Sequence, residues 1–278
     1  MVNFKPAVLS QSSLQDYVDC PRRFQLRYLE DLQYPAAETE PILENEIHQR
    51  EGALFHRLVQ GHLIGIPAES LRSLAATPTL ERWLSNYLEA DLDLVGSEKH
   101  VELSLSAPIA DRRLIAKYDF VAIQNARNAG EQAKARIFDW KTYRKRPRDD
   151  WLAARLQTRV YRTLLVEAGA YLNHGVRFVP EQIEMIYWFA DYPNEPARFR
   201  YDSVQYKRDL DALTILVNEV RTASEFPKTE QQTRCAYCPY RSYCERGIQA
   251  GDFQGLEDEL EKDEFFDVNF EQIGEIAF

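Results

Sequence analysis

The chain of 278 residues lacks several features that would each have pointed elsewhere. No run of 18 apolar residues occurs, so no segment reads as a membrane-spanning helix. The opening Met1-Val2-Asn3-Phe4-Lys5-Pro6 has no apolar stretch of the kind that directs secretion, and a soluble, cytoplasmic protein is expected. A phosphate-cradling G-x-x-x-x-G-K-[ST] is missing, so ATP-driven work would have to come from a partner. No internal repeat is visible, which removes solenoid and propeller architectures. Cysteine is scarce, at four residues, and in a reducing cytosol these are expected to hold a metal and not to form disulfides.

Those four cysteines are placed informatively. Cys20 stands alone near the start, in Tyr17-Val18-Asp19-Cys20-Pro21-Arg22-Arg23-Phe24, and Cys235, Cys238 and Cys244 form a C-x2-C-x5-C group near the end. In a reducing compartment four thiols of this spacing fit one tetrahedral zinc or one iron–sulfur cluster, and the site would tie the two ends of the chain together. A redox C-x-x-C is the rival reading, but such motifs usually open a helix after a strand and have no third cysteine beside them.

The net charge of −10 is unevenly spread. From Asp252 to Phe278 there are ten acids and one base, which leaves 34 acids against 33 bases elsewhere. Acidity is a property of the tail and leaves room for a basic groove on the body. The tail also carries Phe266, Phe270 and Ile273 at helical spacing. It reads as a disordered solubilising end, as a docking segment for a protein partner, or as a cover over the basic groove.

Hydrophobic periodicity divides the body. Ser12 or Ser13 is expected to cap a first helix that continues past a kink at Pro21, and Glu46–Ile64, Glu69–Ala75 and Thr79–Asp93 read as further helices. From Val101 the period shortens: Val101–Leu105, Leu114–Ile123 and Arg136–Lys141 read as strands, with a hairpin loop over Asn125–Ala135. One helix from Asp149 or Asp150 to Ala168 follows, then a strand at Ile183–Ala190 pairing with Phe199–Tyr201, and a helix over Ser203–Phe226. The order implies a mixed α/β core preceded by a helical part. It is expected to form one domain over residues 1–251, with the helical part at about 42–95 and a separate tail at 252–278.

Chemistry concentrates at one edge of that core. Asp139 and Lys141 flank Trp140 on a strand, so they share a face while Trp140 takes the other. Asp119 lies on a neighbouring strand. Two carboxylates converging on one face repel unless a cation joins them, and Mg²⁺ or Mn²⁺ suits oxygen donors. By itself Asp-x-Lys describes an edge-strand ion pair equally well. Gln157 and Tyr161, at i and i+4, share one face of the next helix, and His56 lies on an earlier helix among apolar neighbours.

Taken together, Cys20-Pro21-Arg22-Arg23-Phe24, Gly52-x-x-x-His56, Asp119, Asp139-x-Lys141, Gln157-x-x-x-Tyr161 and the terminal cysteines resemble the PD-(D/E)XK nuclease superfamily, in its RecB-like branch with an iron–sulfur cluster. AddB-type subunits and the nucleases of CRISPR adaptation belong to that branch. The resemblance covers about Ser10 to Gly247. It implies a restriction-endonuclease-like mixed sheet flanked by helices, with an N-terminal helical insertion. It implies that His56, Asp119, Asp139 and the Trp140 main-chain carbonyl bind a catalytic divalent metal. Lys141 would be the catalytic lysine, Gln157 and Tyr161 would organise the site, and Cys20, Cys235, Cys238 and Cys244 would hold a [4Fe–4S] cluster. Where relatives often carry a glycine before the aspartate and an arginine after it, this chain has Ala116 and Phe120, which bears on substrate preference. A cluster-bearing DNA-binding or scaffold subunit of a helicase–nuclease complex, without cleavage, is the other function such a chain could serve.

The segment Lys141–Arg148 holds five bases in eight residues, and Arg155, Arg159 and Arg162 follow. A solvated basic face is one reading. Beside a metal site, Arg144, Lys145, Arg146, Arg148, Arg155 and Arg159 are expected to contact DNA phosphates. Trp140, Tyr143 and Trp151, interleaved with them, are expected to stack on unpaired bases, which suits single-stranded or frayed ends in repair, recombination or CRISPR adaptation.

Overall fold

The computed structural model describes residues 7–32, 42–125 and 132–247. The acidic tail at 252–278 and most of the expected hairpin loop lie outside the described residues. Ser10 ends a short strand, β1 (Val8–Ser10), and caps α1 (Gln11–Asp19). Its hydroxyl accepts from the Ser13 amide, and the Ser13 hydroxyl accepts from the Ser10 amide, so two terminal donors are satisfied reciprocally. The cap therefore lies earlier than the expected Ser12 or Ser13. Pro21 opens α2 (Pro21–Phe24), where a missing N–H costs nothing, and Cys20 is the extended link between the two helices.

The helical part comprises α3 (Ile42–Leu63), α4 (Ala68–Arg72) and α5 (Pro78–Glu89). Next come β2 (Glu98–Ile109), β3 (Arg112–Gln124) and β4 (Lys134–Lys141). One helix was expected after them. The chain instead breaks at Arg155, whose ψ of 143° is extended, giving α6 (Asp149–Ala154) and α7 (Leu156–Ala168). The Thr158 hydroxyl donates to the Leu152 carbonyl at 2.5 Å and so fixes the corner. The strands β5 (Ile183–Phe189) and β6 (Tyr192–Arg200) precede α8 (Ser203–Thr222).

All six strands form one mixed sheet in the order β1-β3-β4-β5-β6, with β2 on the other edge of β3. Its α1/α7/α8 side buries Leu14, Tyr118, Leu164, Tyr187 and Val217, and its α3/α5 side buries Phe55, Trp83, Trp140 and Trp188. Among the described residues no helix is long and apolar enough to cross a membrane.

One topological detail positions the site. β3 changes partner along a single edge: Arg113–Ile115 pair with β1, and Phe120–Gln124 pair with β4. β4 leaves β3 after Phe138 and continues to Lys141 paired with β5. Among the described residues, 116–119 of β3 thus face no strand on that edge. A cleft opens there, lined by backbone groups that need other partners.

Candidate active site

Side chains from α3, β3, β4 and α7 fill this cleft. Asp119 Oδ2 accepts the Trp140 N–H at 3.0 Å, the kind of backbone donor a continued ladder would have paired, and lies 3.5 Å from His56 Nδ1. Asp139 and Lys141, 1% and 3% exposed, share one face of β4 with Oδ2 and Nζ 2.7 Å apart. Gln157, in the first turn of α7, donates Nε2 to Asp139 Oδ1 at 2.6 Å. One turn later, Tyr161 donates its hydroxyl to the Lys117 carbonyl at 2.6 Å, satisfying an acceptor on the open edge of β3. Gln157 Oε1 is a buried acceptor with no hydrogen bond among the described residues.

Burial acts to raise the Asp119 carboxyl, but the His56 imidazole, the Lys141 ammonium and the Trp140 N–H outweigh it and hold the group below the usual carboxylate range. Burial drives Tyr161 well above the ordinary phenol, and the nearby Asp139 and Asp119 charges push the same way. Tyr161 therefore stays protonated as a donor and is no general base. Lys141 Nζ lies 5.7 Å from the Tyr187 ring centre and 6.0 Å from that of Tyr143, two π-faces that favour a cation.

Other residues support the cleft from behind. A Cβ on Gly52 would stand 3.0 Å from Thr142 Oγ1, so this glycine lets α3 approach the end of β4 and brings His56 to Asp119. His48, two turns before His56, places Nε2 2.8 Å from the Thr142 carbonyl, and burial lowers its pKa. Sequence reasoning missed His48. Its signal was the eight-residue spacing from His56, which puts both imidazoles on nearly one face of α3.

A model of the PD-(D/E)XK nuclease superfamily matches residues 8–245. The chain belongs to that superfamily. No curated protein sequence matches. Among solved structures, SSO0001 is 14% identical with a TM-score of 0.39, over 86% of this chain and 85% of that one. A candidate exonuclease from Eubacterium rectale is 9% identical with a TM-score of 0.46, over 82% and 89%. Asp119, Asp139 and Lys141, the residues expected to carry the metal chemistry, lie together at the β3/β4 cleft.

The basic strip of this PD-(D/E)XK chain is narrower than its sequence suggests. Arg144 and Lys145 are exposed. Arg146 is engaged, donating to the Glu195 carbonyl at 2.8 Å and to Asp149 at 2.6 Å, and Arg148 pairs with Asp150. Arg155 is buried, donates to the Tyr143 hydroxyl at 2.6 Å and stacks on Trp151, so it is a corner brace and is removed from the expected phosphate ligands. Arg159 lies 3.9 Å from the buried Asp209, which also binds Arg162. The expected base-stacking role of Trp140 and Trp151 is also corrected. Trp140 is packed between Tyr87, Phe138 and Trp188, and Trp151 is buried beneath Arg155. Of the three aromatics, half-buried Tyr143 remains. Replacing Arg144 and Lys145 together by alanine is expected to weaken DNA binding and to flatten the log–log salt dependence by about 1.4–1.8. Titrations between 50 and 200 mM salt measure this, and an unchanged slope would remove these two residues from the DNA path.

The cysteines meet far from the cleft in sequence. Cys20, Cys235, Cys238 and Cys244 line one cavity with Arg23, Lys228, Arg234, Arg241 and Arg246, and none is in a disulfide. Burial raises the thiols of Cys235, Cys238 and Cys244, that of Cys238 to about 11. Among the described residues no group of three or more His, Cys, Asp or Glu is set to hold a metal ion, in this cavity or in the cleft. The donor types nevertheless suit each expected group: four soft thiols suit zinc or iron, and two carboxylates with an imidazole suit a hydrated divalent cation.

Proposed function

We propose that the protein is a metal-dependent deoxyribonuclease that hydrolyses phosphodiester bonds as an exonuclease on single-stranded or frayed DNA ends. One observation carries the reading: Asp119, Asp139, Lys141 and His56, from three separate elements, meet where β4 leaves β3. In this reading Asp119, Asp139, His56 and the Trp140 main-chain carbonyl hold Mg²⁺ or Mn²⁺. The bound metal supplies an activated water and a counter-charge for the phosphoryl oxygens.

The remaining roles fall to the chain itself. Lys141, with its ammonium fixed beside Asp139, orients the nucleophilic water and offsets charge developing on the phosphate. Gln157 holds Asp139 in its rotamer through the 2.6 Å hydrogen bond, so that one carboxylate oxygen stays directed at the cleft. Tyr161 braces the open edge of β3. Arg144 and Lys145 draw in the phosphate backbone, and Tyr143 stacks on an unpaired base. The four cysteines hold a [4Fe–4S] cluster, with zinc as the alternative occupant, in a structural role. DNA repair, recombination or CRISPR adaptation would use such an activity, with a helicase supplying any unwinding.

The test is a panel of end-labelled single-stranded, duplex, frayed and RNA substrates with Mg²⁺ or Mn²⁺, on protein of measured iron and zinc content. Metal-dependent product ladders growing from one end are expected. Tight DNA binding with no cleavage under any metal would leave a binding subunit instead.

A further inference from the structure

β2 and β3 keep one register from Glu98 opposite Ile123 to Ile109 opposite Arg112, yet one facing pair drops out of the ladder: Glu102 and Asp119. Glu102 has a φ of +53°, in the interior of a strand. Glycine takes this left-handed conformation freely and asparagine tolerates it, but a β-branched residue scarcely adopts it. No residue is inserted, so this is a local rotation of both strands and not a bulge.

The rotation changes which face each strand presents. On one side of it Leu103 and Leu105 of β2, and Leu114, Ala116 and Tyr118 of β3, pack into the α1/α7/α8 core. On the other side Val101, Phe120 and Ala122 pack into the α3/α5 core. Strict alternation would put Tyr118 and Phe120 on one face and turn Asp119 to the opposite one. With the rotation, Tyr118 and Phe120 fall on opposite faces, and the carboxylate between them reaches across the cleft to the Trp140 N–H. The Glu102 carboxylate is occupied elsewhere, 2.6 Å from Lys117 Nζ.

We propose that Glu102 is a positioning residue whose left-handed backbone, and not its carboxylate, turns Asp119 into the cleft. The inference rests on Asp119 being a metal-binding carboxylate, but its test has a readout free of metal. The full chain is compared with Glu102→Gly, Glu102→Asn and Glu102→Val, with Glu102→Ala in reserve should the valine variant not fold. Hydrogen exchange of the Trp140 amide, recorded without divalent metal, reports whether Asp119 still accepts it. Exchange at wild-type rate is expected for the glycine and asparagine variants. The valine or alanine variant should exchange at least about tenfold faster at Trp140, with the Ile137 and Phe138 amides unchanged. Mn²⁺ affinity, read from the paramagnetic signal of the free ion, should fall in the same variant and hold in the other two. Wild-type exchange in the valine variant would overturn the proposal. Equal loss in the glycine variant would also overturn it, by assigning the role to the carboxylate. Absence of Mn²⁺ binding in the wild type, with the exchange pattern as expected, would count against the nuclease reading alone.

Discussion

Lys141→Ala is expected to lower kcat for DNA cleavage by roughly 10²–10³-fold, the usual loss when one preorganised electrostatic group is removed from a reacting centre. The side chain is held for this purpose: 3% exposed, 2.7 Å from Asp139 Oδ2 and flanked by the Tyr143 and Tyr187 rings. Its removal also takes the ammonium away from a carboxylate that is 1% exposed. Breaking a buried pair from one side costs about 3–5 kcal/mol, so the variant should be markedly less stable in chelator. A divalent cation can replace the ammonium as counter-charge for Asp139. Added Mn²⁺ should therefore stabilise Lys141→Ala more than it stabilises the wild type, while cleavage stays lost. Lys141→Arg should not rescue, because the planar guanidinium is larger than the ammonium and fits a different hydrogen-bond geometry. Denaturant midpoints with and without Mn²⁺, beside single-turnover cleavage rates, test both halves. Cleavage within tenfold of wild type would reduce Lys141 to an ion-pair partner.

The sequence made these residues legible because the chemistry sits on regular elements. Asp139 and Lys141 obey strand alternation, and Gln157 and Tyr161 obey the i, i+4 rule, so local periodicity placed both pairs. Asp119 is different. Alternation along Leu114–Ile123 predicts a single face for 114, 116, 118 and 120, and the rotation at Glu102 that breaks it leaves no mark in composition. The corner at Arg155 was invisible for a similar reason. Neither glycine nor proline stands there, and the bend is held by two side chains with no helix-breaking character, Thr158 bonding the Leu152 carbonyl across the corner and Arg155 bonding the Tyr143 hydroxyl. β1 was missed because three residues carry no readable period, although its pairing with β3 defines where the cleft begins. The basic strip was over-read, since a count of arginines does not show which are committed to Asp149, Asp150 or Tyr143.

Asp19→Ala is expected to destabilise the protein by about 3–5 kcal/mol, more than Cys20→Ala does, although the cysteine is the metal-ligand candidate. If a metal were the sole joint between the chain ends, closing a loop of about 215 residues would be worth about 5 kcal/mol as an upper estimate. The structure supplies other joints. Asp19, its side chain 1% exposed, takes Arg23 Nη2 at 2.5 Å and, across 215 positions, Arg234 Nη1 at 3.3 Å, with Gln15 Nε2 at 2.9 Å. The Arg22 amide donates to the Pro227 carbonyl at 3.1 Å, and the Tyr240 hydroxyl donates to the Leu32 carbonyl at 3.0 Å. Phe226 packs on Tyr17 and Phe24, with ring centres 6.4 and 6.2 Å away. These contacts hold the two ends of the chain together with no metal bound. Compared as metal-free proteins, Cys20→Ala should therefore keep most of the wild-type stability, whereas Asp19→Ala leaves Arg23 to Asp16 and takes a carboxylate from beside the buried Arg234. Urea midpoints at matched metal content, with iron and zinc measured on each sample, compare the two. A Cys20→Ala protein weaker by the full loop-closure amount, or an Asp19→Ala protein as stable as wild type, would return the role of clamp to the metal.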